Sequence, residues 1–209
     1  GSISVFSRDT GAGIVRPGKK GTKDMRVISG SSRGRKLKEL PGMDTRPTTD
    51  KVKESLFNII QFEIEGRRAL DLFGGTGQLG IEALSRGAAH CTFVDARRDA
   101  AAVIRDNLRL CGLSEHSRVV QGDALSFLSA CREKFDLIFL DPPYQTQLLE
   151  ESMEAIARFD ILSEHGIMVC ESAAEKVLPS LAAPYVQGRE YRYGKIKLTV
   201  FHRAGRERE

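Results

Sequence analysis

Cysteine is scarce in this chain, and long apolar runs are missing. The four cysteines, Cys91, Cys111, Cys131 and Cys170, lie far apart and form no C-x-x-C pair. That spacing argues against a zinc site and against a disulfide framework, so no metal is expected and a reducing, cytoplasmic setting is. Four small buried hydrophobes is the simpler reading of them. No apolar stretch approaches the ~20 residues of a membrane span. The longest, Leu137–Leu140 and Ile167–Cys170, have strand length. The amino-terminal stretch lacks the apolar core of a secretory signal, and no internal repeat is visible.

What is present suits a globular protein. The 209 residues are 41% hydrophobic and 29% charged, enough for one sizeable core plus an extension. The net charge of +4 is unevenly spread. Residues 1–38 hold ten lysines and arginines against Asp9 and Asp24, so the remainder is net acidic. A basic arm on an acidic body points to a polyanionic partner. Residues 1–24 are Gly/Ser/Lys-rich and read as a disordered or expression-derived tail, with Met25 as a natural start. Residues 25–45 read as a basic hairpin, 46–203 as the main domain and 204–209 as a polar tail.

In the hairpin, Val27-Ile28 and Lys36-Leu37 flank the turn Gly30-Ser31-Ser32-Arg33-Gly34. Arg33, Arg35, Lys36 and Lys38 cluster around it, suited to phosphate contacts that position a protein without reading sequence. Solvated surface charge is the competing explanation. Arg46-Pro47-Thr48-Thr49-Asp50 then leads into a helix over 51–61, with Val52, Leu56, Ile59 and Ile60 as its core stripe. Thr49 or Asp50 can cap it. Arg46 and Thr48 have no such structural duty.

Strand and helix alternate from Arg67 onward. Strands are expected over 69–73, 91–95, 119–121, 137–140 and 167–171, with helices over 77–86, 98–111, 124–131, 147–159 and 174–181. Two last strands, 186–193 and 196–202, have no long helix between them and read as antiparallel around Gly194-Lys195. The expected fold is α/β: a Rossmann-like, doubly wound, mostly parallel seven-stranded sheet with an antiparallel carboxy-terminal edge and a small amino-terminal β-hairpin.

Chemistry-bearing residues fall at successive strand ends. Asp71-Leu72-Phe73-Gly74-Gly75-Thr76-Gly77 joins the first strand to its helix, and Gly75, Gly77 and Gly80 match G-x-G-x-x-G. An NAD-binding loop shares that pattern. However, a carboxylate at Asp71 would repel a pyrophosphate, while it can accept from the ammonium of an amino acid. Asp95, about 20 residues on at the end of strand two, is placed to take both ribose hydroxyls. Asp123, at the end of strand three, can accept from an adenine amine or simply cap the next helix. Ammonium, ribose and adenine in that order describe S-adenosylmethionine. At the fourth strand end stands Asp141-Pro142-Pro143-Tyr144. Asp141 and the Pro142 carbonyl can accept both hydrogens of an exocyclic NH2, and Tyr144 can stack on the ring.

With these residues in view, the chain resembles the class I S-adenosylmethionine-dependent methyltransferases that modify exocyclic amines. Within that class it is similar to the bacterial 16S ribosomal RNA guanine-N2 methyltransferases of the small-subunit methyltransferase D family, which act on guanine 966. The likeness rests on Arg-Gly-Arg-Lys-Leu (33–37), Arg-Pro-Thr-Thr-Asp (46–50), the 71–77 loop with 79–86, and the tetrad. It implies Asp141, Pro142, Pro143 and Tyr144 as the catalytic set. The implied cofactor set is Arg46, Thr48, Asp71, Phe73, Gly74, Gly75, Gly77, Asp95, Ala96, Asp123 and Ala124. It also implies Arg33, Arg35, Lys36 and Lys38 as RNA contacts, and a monomer working on 16S ribosomal RNA or the assembling small subunit. The rival readings are an adenine-N6 methyltransferase on DNA or RNA, an NAD-dependent oxidoreductase, and a non-catalytic RNA-binding module.

Overall fold

A computed structural model describes residues 25–41 and 50–205. The expectations for Arg46, Thr48 and Thr49, for residues 42–45 of the hairpin, for the tail 1–24 and for residues 206–209 of the tail 204–209 lie outside the described residues. The elements are α1 (Asp50–Ile59), β1 (Arg68–Asp71), α2 (Gln78–Ser85), β2 (His90–Asp95), α3 (Arg98–Leu110), β3 (Ser117–Gln121), α4 (Ala124–Ala130), β4 (Phe135–Leu140), α5 (Leu148–Phe159), β5 (Leu162–Ala173), β6 (Tyr185–Tyr193) and β7 (Ile196–Arg203). A short 3-10 turn, Ser114–His116, precedes β3.

The seven strands form one sheet in the order β3-β2-β1-β4-β5-β7-β6. Strands β1 to β5 run parallel, and β7 lies antiparallel to both β5 and β6. The Rossmann-like fold read from the sequence is therefore the fold of the protein. The chain builds outward from β1 in one direction and from β4 in the other. The switch point between β1 and β4 is where open α/β sheets hold their ligands.

Both faces of the central strands are covered, which is why they read as unbroken apolar runs. Leu137 and Phe139 of β4 join a core built with Leu56 and Phe57 of α1, Ile81 of α2 and Ile104 of α3. Ile138 and Leu140 point the other way, toward Leu128 of α4 and Met153 and Ile156 of α5. Val27 and Leu37 of the amino-terminal hairpin belong to the first of these cores. The hairpin is thus part of the body, closed by one bridge, Arg26 to Lys36, and by Gly34 N–H donating to the Val27 carbonyl at 2.9 Å.

The helix expected over 174–181 does not form. Residues 174–175 turn and 176–182 are irregular. Pro179 has no N–H to give and disfavours a helical residue before it. The backbone is also committed elsewhere: Ala174 N–H donates to the Lys195 carbonyl at 2.9 Å, and the buried Lys197 ammonium donates to the Lys176 carbonyl at 2.5 Å. Strand β1 ends at Asp71 rather than Phe73, since the glycine loop begins there, although Leu72 N–H still reaches the Phe139 carbonyl at 3.3 Å.

Candidate active site

The glycine loop leaves β1 and starts α2 at the switch point. Gly77, before the first residue of α2, has φ of 83°, a conformation that a side chain disfavours. Gly80, one turn into the helix, permits a close approach. A Cβ there would stand 2.3 Å from the Phe93 ring and 2.7 Å from the Cys91 sulfur. Its absence lets α2 lie directly on β2, which sets the height of the loop above the sheet.

Asp71 is almost wholly buried beneath that loop, 1% exposed, and its Oδ2 accepts from Gly80 N–H at 3.1 Å. Burial pushes its carboxyl up to about 8; the nearby charges of Asp141 and Asp95 add to this, and the Gly80 hydrogen bond opposes it. Three of the strand-end acids therefore share one electrostatic neighbourhood. Asp95 is half-buried, and its carboxylate accepts from Gly75 N–H at 2.9 Å and from Arg97 N–H at 2.9 Å. It holds the glycine loop to the end of β2, with Ala96 exposed beside it. Each carboxylate oxygen can accept a second hydrogen bond, so this duty is compatible with a ligand. Gly74 N–H donates to the Val94 carbonyl at 2.9 Å, and Phe73 is half-buried next to it.

Asp123 is the cap of α4: its Oδ2 accepts from Ser126 N–H at 2.8 Å, while Ala124 behind it is buried. Gly122 N–H donates to the Asp95 carbonyl at 2.9 Å, which places the ends of β3 and β2 side by side.

The tetrad emerges directly from β4. Asp71 is registered with Phe139, so Asp141 follows two residues further along the adjacent strand, close enough for its charge to act on Asp71. Asp141 is half-buried with Oδ1 shielded from solvent; Pro142 is buried, Pro143 exposed and Tyr144 half-buried. The next residue, Gln145, has φ of 61°, a left-handed conformation that disfavours a side chain. The sharp turn is braced by the Thr146 hydroxyl, which donates to the Pro143 carbonyl at 3.0 Å. A hollow of about 220 Å³ opens beside Pro142, Pro143 and Tyr144, with Ser172 and Lys176 on its other wall. It is smaller than the ~300 Å³ at which drug-sized pockets begin, and neither Asp141 nor the glycine loop lines it.

The four hairpin cations are exposed but do not gather at the crevice. Arg33 follows Ser32, whose N–H donates to the Ser85 hydroxyl at 2.9 Å, at the far end of α2 from the glycine loop. Eight helical residues separate those ends by about 12 Å. Lys38 instead lies on α3, with its ammonium 3.1 Å from Asp106.

Two buried polar residues fasten this hairpin, and neither was singled out by sequence reasoning. Glu82 is completely buried, accepting from Ile28 N–H at 2.7 Å and Ser29 N–H at 3.1 Å, with Lys53 at 3.2 Å and Arg86 at 2.9 Å. Asn107 is also completely buried: its Oδ1 accepts from Lys38 N–H at 2.6 Å, and its Nδ2 donates to the Lys38 carbonyl at 3.0 Å and the Thr76 carbonyl at 2.8 Å. The available signal was α2 itself. Gln78–Ser85 is apolar nearly all round, so Glu82 has no solvent face to occupy.

The family described as conserved hypothetical protein 95 matches residues 25–202. The chain belongs to this family. Among its relatives is YlbH of Bacillus subtilis (strain 168), provisionally named an rRNA methyltransferase. It is 45% identical over 184 residues, covering 87% of this chain and 100% of YlbH. The ribosomal RNA small subunit methyltransferase D of Escherichia coli (strain K12) is 35% identical over 190 residues, covering 91% of this chain and 96% of that protein. The solved structure of the Escherichia coli protein YhhF superposes with a TM-score of 0.79 at 34% identity, covering 88% of this chain and 99% of that one. The matched span of the conserved hypothetical protein 95 family takes in the hairpin, the glycine loop and the tetrad together.

Proposed function

We propose that this protein transfers a methyl group from S-adenosylmethionine to the exocyclic N2 amine of a guanine in 16S ribosomal RNA. Membership of a family whose named relatives are methyltransferases supports the reaction type and a donor of this class. The observation that carries the reading further is that Asp71 and Asp141 follow adjacent strands, near enough for the Asp141 charge to help raise the Asp71 carboxyl, with Tyr144 lining a hollow beyond them. Guanine 966 as the target rests on the family likeness.

The acids fit a cationic donor. Asp71 is a buried carboxyl held up near 8 by its surroundings, and an ammonium nearby relieves what burial and its acidic neighbours impose. Asp95 and Ala96 flank the place for a ribose, and Asp123 and Ala124 the place for a base. Bound there, S-adenosylmethionine supplies an electrophilic methyl on its sulfonium. The rest is done by the protein. Tyr144 stacks on the guanine, and Asp141 with the Pro142 carbonyl accepts from N2. A guanine N2 lone pair is delocalised into the ring and is a poor nucleophile. Acceptors fixed on that nitrogen favour the positive charge that develops as it attacks, and the charge is discharged when N2 gives up one of its two protons to Asp141 or to solvent. Alignment supplies much of the remainder, since well-oriented reactants gain roughly 7–11 kcal/mol.

The test is methyl transfer from a radiolabelled donor to 16S ribosomal RNA, to small subunits and to duplex DNA, with the product nucleoside identified by mass spectrometry. N2-methylguanosine in the RNA is expected. Labelled adenine, or labelled DNA, would overturn the substrate.

The donor site carries a pH prediction. Asp71 must be ionised to attract a cation, and its carboxyl sits near 8. Affinity for S-adenosylhomocysteine should therefore rise from pH 6 toward pH 8, with a proton released on binding. The fold responds oppositely. A carboxyl raised in the folded state contributes stability that is complete below its unfolded value and is lost as pH climbs toward 8. Asp71→Asn keeps an acceptor for Gly80 and should flatten both trends. Calorimetry across that range decides; an affinity slope that survives in Asp71→Asn removes this residue from the donor site.

Residues 25–45 are proposed as the RNA-contacting arm. Changing Arg33, Arg35, Lys36 and Lys38 together to Ala should weaken RNA binding most at low salt. The slope of log K against log salt should shrink by ~0.7–0.9 per lost phosphate contact. Parallel lines of equal intercept would make these charges ordinary solvated surface.

A further inference from the structure

The hairpin and the glycine loop are far apart in sequence but share one buried side chain. Asn107 of α3 takes Lys38 N–H at 2.6 Å and gives its amide hydrogens to the Lys38 carbonyl at 3.0 Å and the Thr76 carbonyl at 2.8 Å. Its three bonds saturate both N–H groups and one lone pair of the amide. A second contact runs in parallel, the Thr76 hydroxyl to the Met25 sulfur at 3.5 Å. Lys38 is exposed at its other end, where its ammonium stands 3.1 Å from Asp106 on the surface of α3. Lys38 thus carries an exposed cation, paired with Asp106, and fixes through its own backbone the asparagine that fixes Thr76. Thr76 lies between Gly75 and Gly77, the loop whose Gly75 N–H is held by Asp95 at 2.9 Å.

We infer that Asn107 is a positioning residue that couples RNA held on the hairpin to methyl donor held on the glycine loop. The inference rests on the RNA methyltransferase reading above and adds a linkage to it. Ordering the Lys38 backbone orders Asn107, and Asn107 orders the Thr76 carbonyl. A ligand at either end meets part of the loss of freedom already incurred at the other, which is positive cooperativity. Linkage makes the effect reciprocal: RNA raises donor affinity by the factor by which the donor raises RNA affinity. Besides Glu82, the hairpin has an attachment without this property. Ser32 donates through its hydroxyl to the Cys111 carbonyl at 2.8 Å and, among the described residues, makes no hydrogen bond to the glycine loop.

The experiment measures S-adenosylhomocysteine affinity with and without transcribed 16S ribosomal RNA. Parent, Asn107→Ala, Asn107→Asp and Ser32→Ala are compared after each is shown to unfold cooperatively. Asp at 107 keeps the size and the acceptor for Lys38 N–H but has no hydrogen for the two carbonyls. In the parent, RNA should tighten S-adenosylhomocysteine by at least about fivefold, the lower end of ordinary coupling. Both Asn107 variants should still bind RNA, with the ratio falling to near one. Ser32→Ala should weaken RNA binding yet keep the parental ratio. A parental ratio of one overturns the coupling and needs no variant to fold. So does a ratio preserved in the Asn107 variants, or one lost equally in Ser32→Ala. A parent that binds no RNA at all overturns the functional reading itself, and the coupling with it.

Discussion

Replacing Asp141 with Ala is expected to lower kcat by at least about 10²-fold, the range seen when one preorganised partner of a developing charge is removed. Affinity for S-adenosylhomocysteine should stay within a modest factor. Asp141 begins the tetrad at the end of β4, on the far side of Asp71 from the β2 and β3 ends proposed for the ribose and base. Its charge is also one of the causes that hold the Asp71 carboxyl high. Removing it should bring Asp71 down and leave that acid more fully ionised at neutral pH, so donor binding has no electrostatic reason to weaken. Asp141→Asn should fall between parent and Ala, keeping one acceptor and losing the charge. Tyr144→Phe should be mild and Tyr144→Ala severe, because stacking needs the ring. Single-turnover transfer by Asp141→Ala at near the parental rate would end the proposed role, and equal damage from Phe and Ala at 144 would end stacking.

Much of the sheet was legible because the central strands are covered on both faces. Strand β4, Phe-Asp-Leu-Ile-Phe-Leu, is apolar without alternation from Leu137 to Leu140, and is followed by prolines that stop it. The strand-end acids were legible for a related reason: four carboxylates at the same topological place are hard to explain one by one. What each acid does in the resting fold was less visible. Asp95 clamps Gly75 and Arg97, and Asp123 caps α4, because a carboxylate at a strand end meets backbone N–H groups before it meets any ligand. The missing helix after β5 failed on proline and on a demand from elsewhere, the Lys197 ammonium reaching back for the Lys176 carbonyl. Lys53 was hidden by its own helix. It sits beside Val52 on the stripe of α1 and reads as a flank, yet the hairpin lies over it and leaves it 1% exposed. Tertiary covering by a distant segment leaves no periodic trace in the segment that is covered.

That covering makes Glu82 the most consequential single side chain for the fold. Glu82→Ala is expected to reduce unfolding free energy by about 3–5 kcal/mol, as when one member of a buried ion pair is removed and the other stays. Three separate losses contribute, one of them the bond from the Arg86 guanidinium to the carboxylate at 2.9 Å. Lys53 keeps its carbonyl partner, Arg26 at 3.1 Å, but loses the carboxylate at 3.2 Å. Ile28 and Ser29, both half-buried, lose the acceptor of their N–H groups, at a cost below the ~1–3 kcal/mol of a fully buried donor left unsatisfied. Burial already holds the Lys53 ammonium below its ordinary value, with Glu82 opposing that shift. Removing Glu82 should lower it further. A lysine whose folded value lies below its unfolded one gains stability as pH rises between the two, so the deficit of Glu82→Ala should narrow in alkaline solution. The double variant Glu82→Leu/Lys53→Met should recover the part due to the stranded ammonium and not the part due to the hairpin N–H groups. Denaturant titrations of the three proteins, parent included, at pH 7 and pH 9 measure both. A loss below about 1 kcal/mol at pH 7, or full recovery in the double variant, would mean that the apolar contacts of Val27 and Leu37 hold the hairpin and that Glu82 does not.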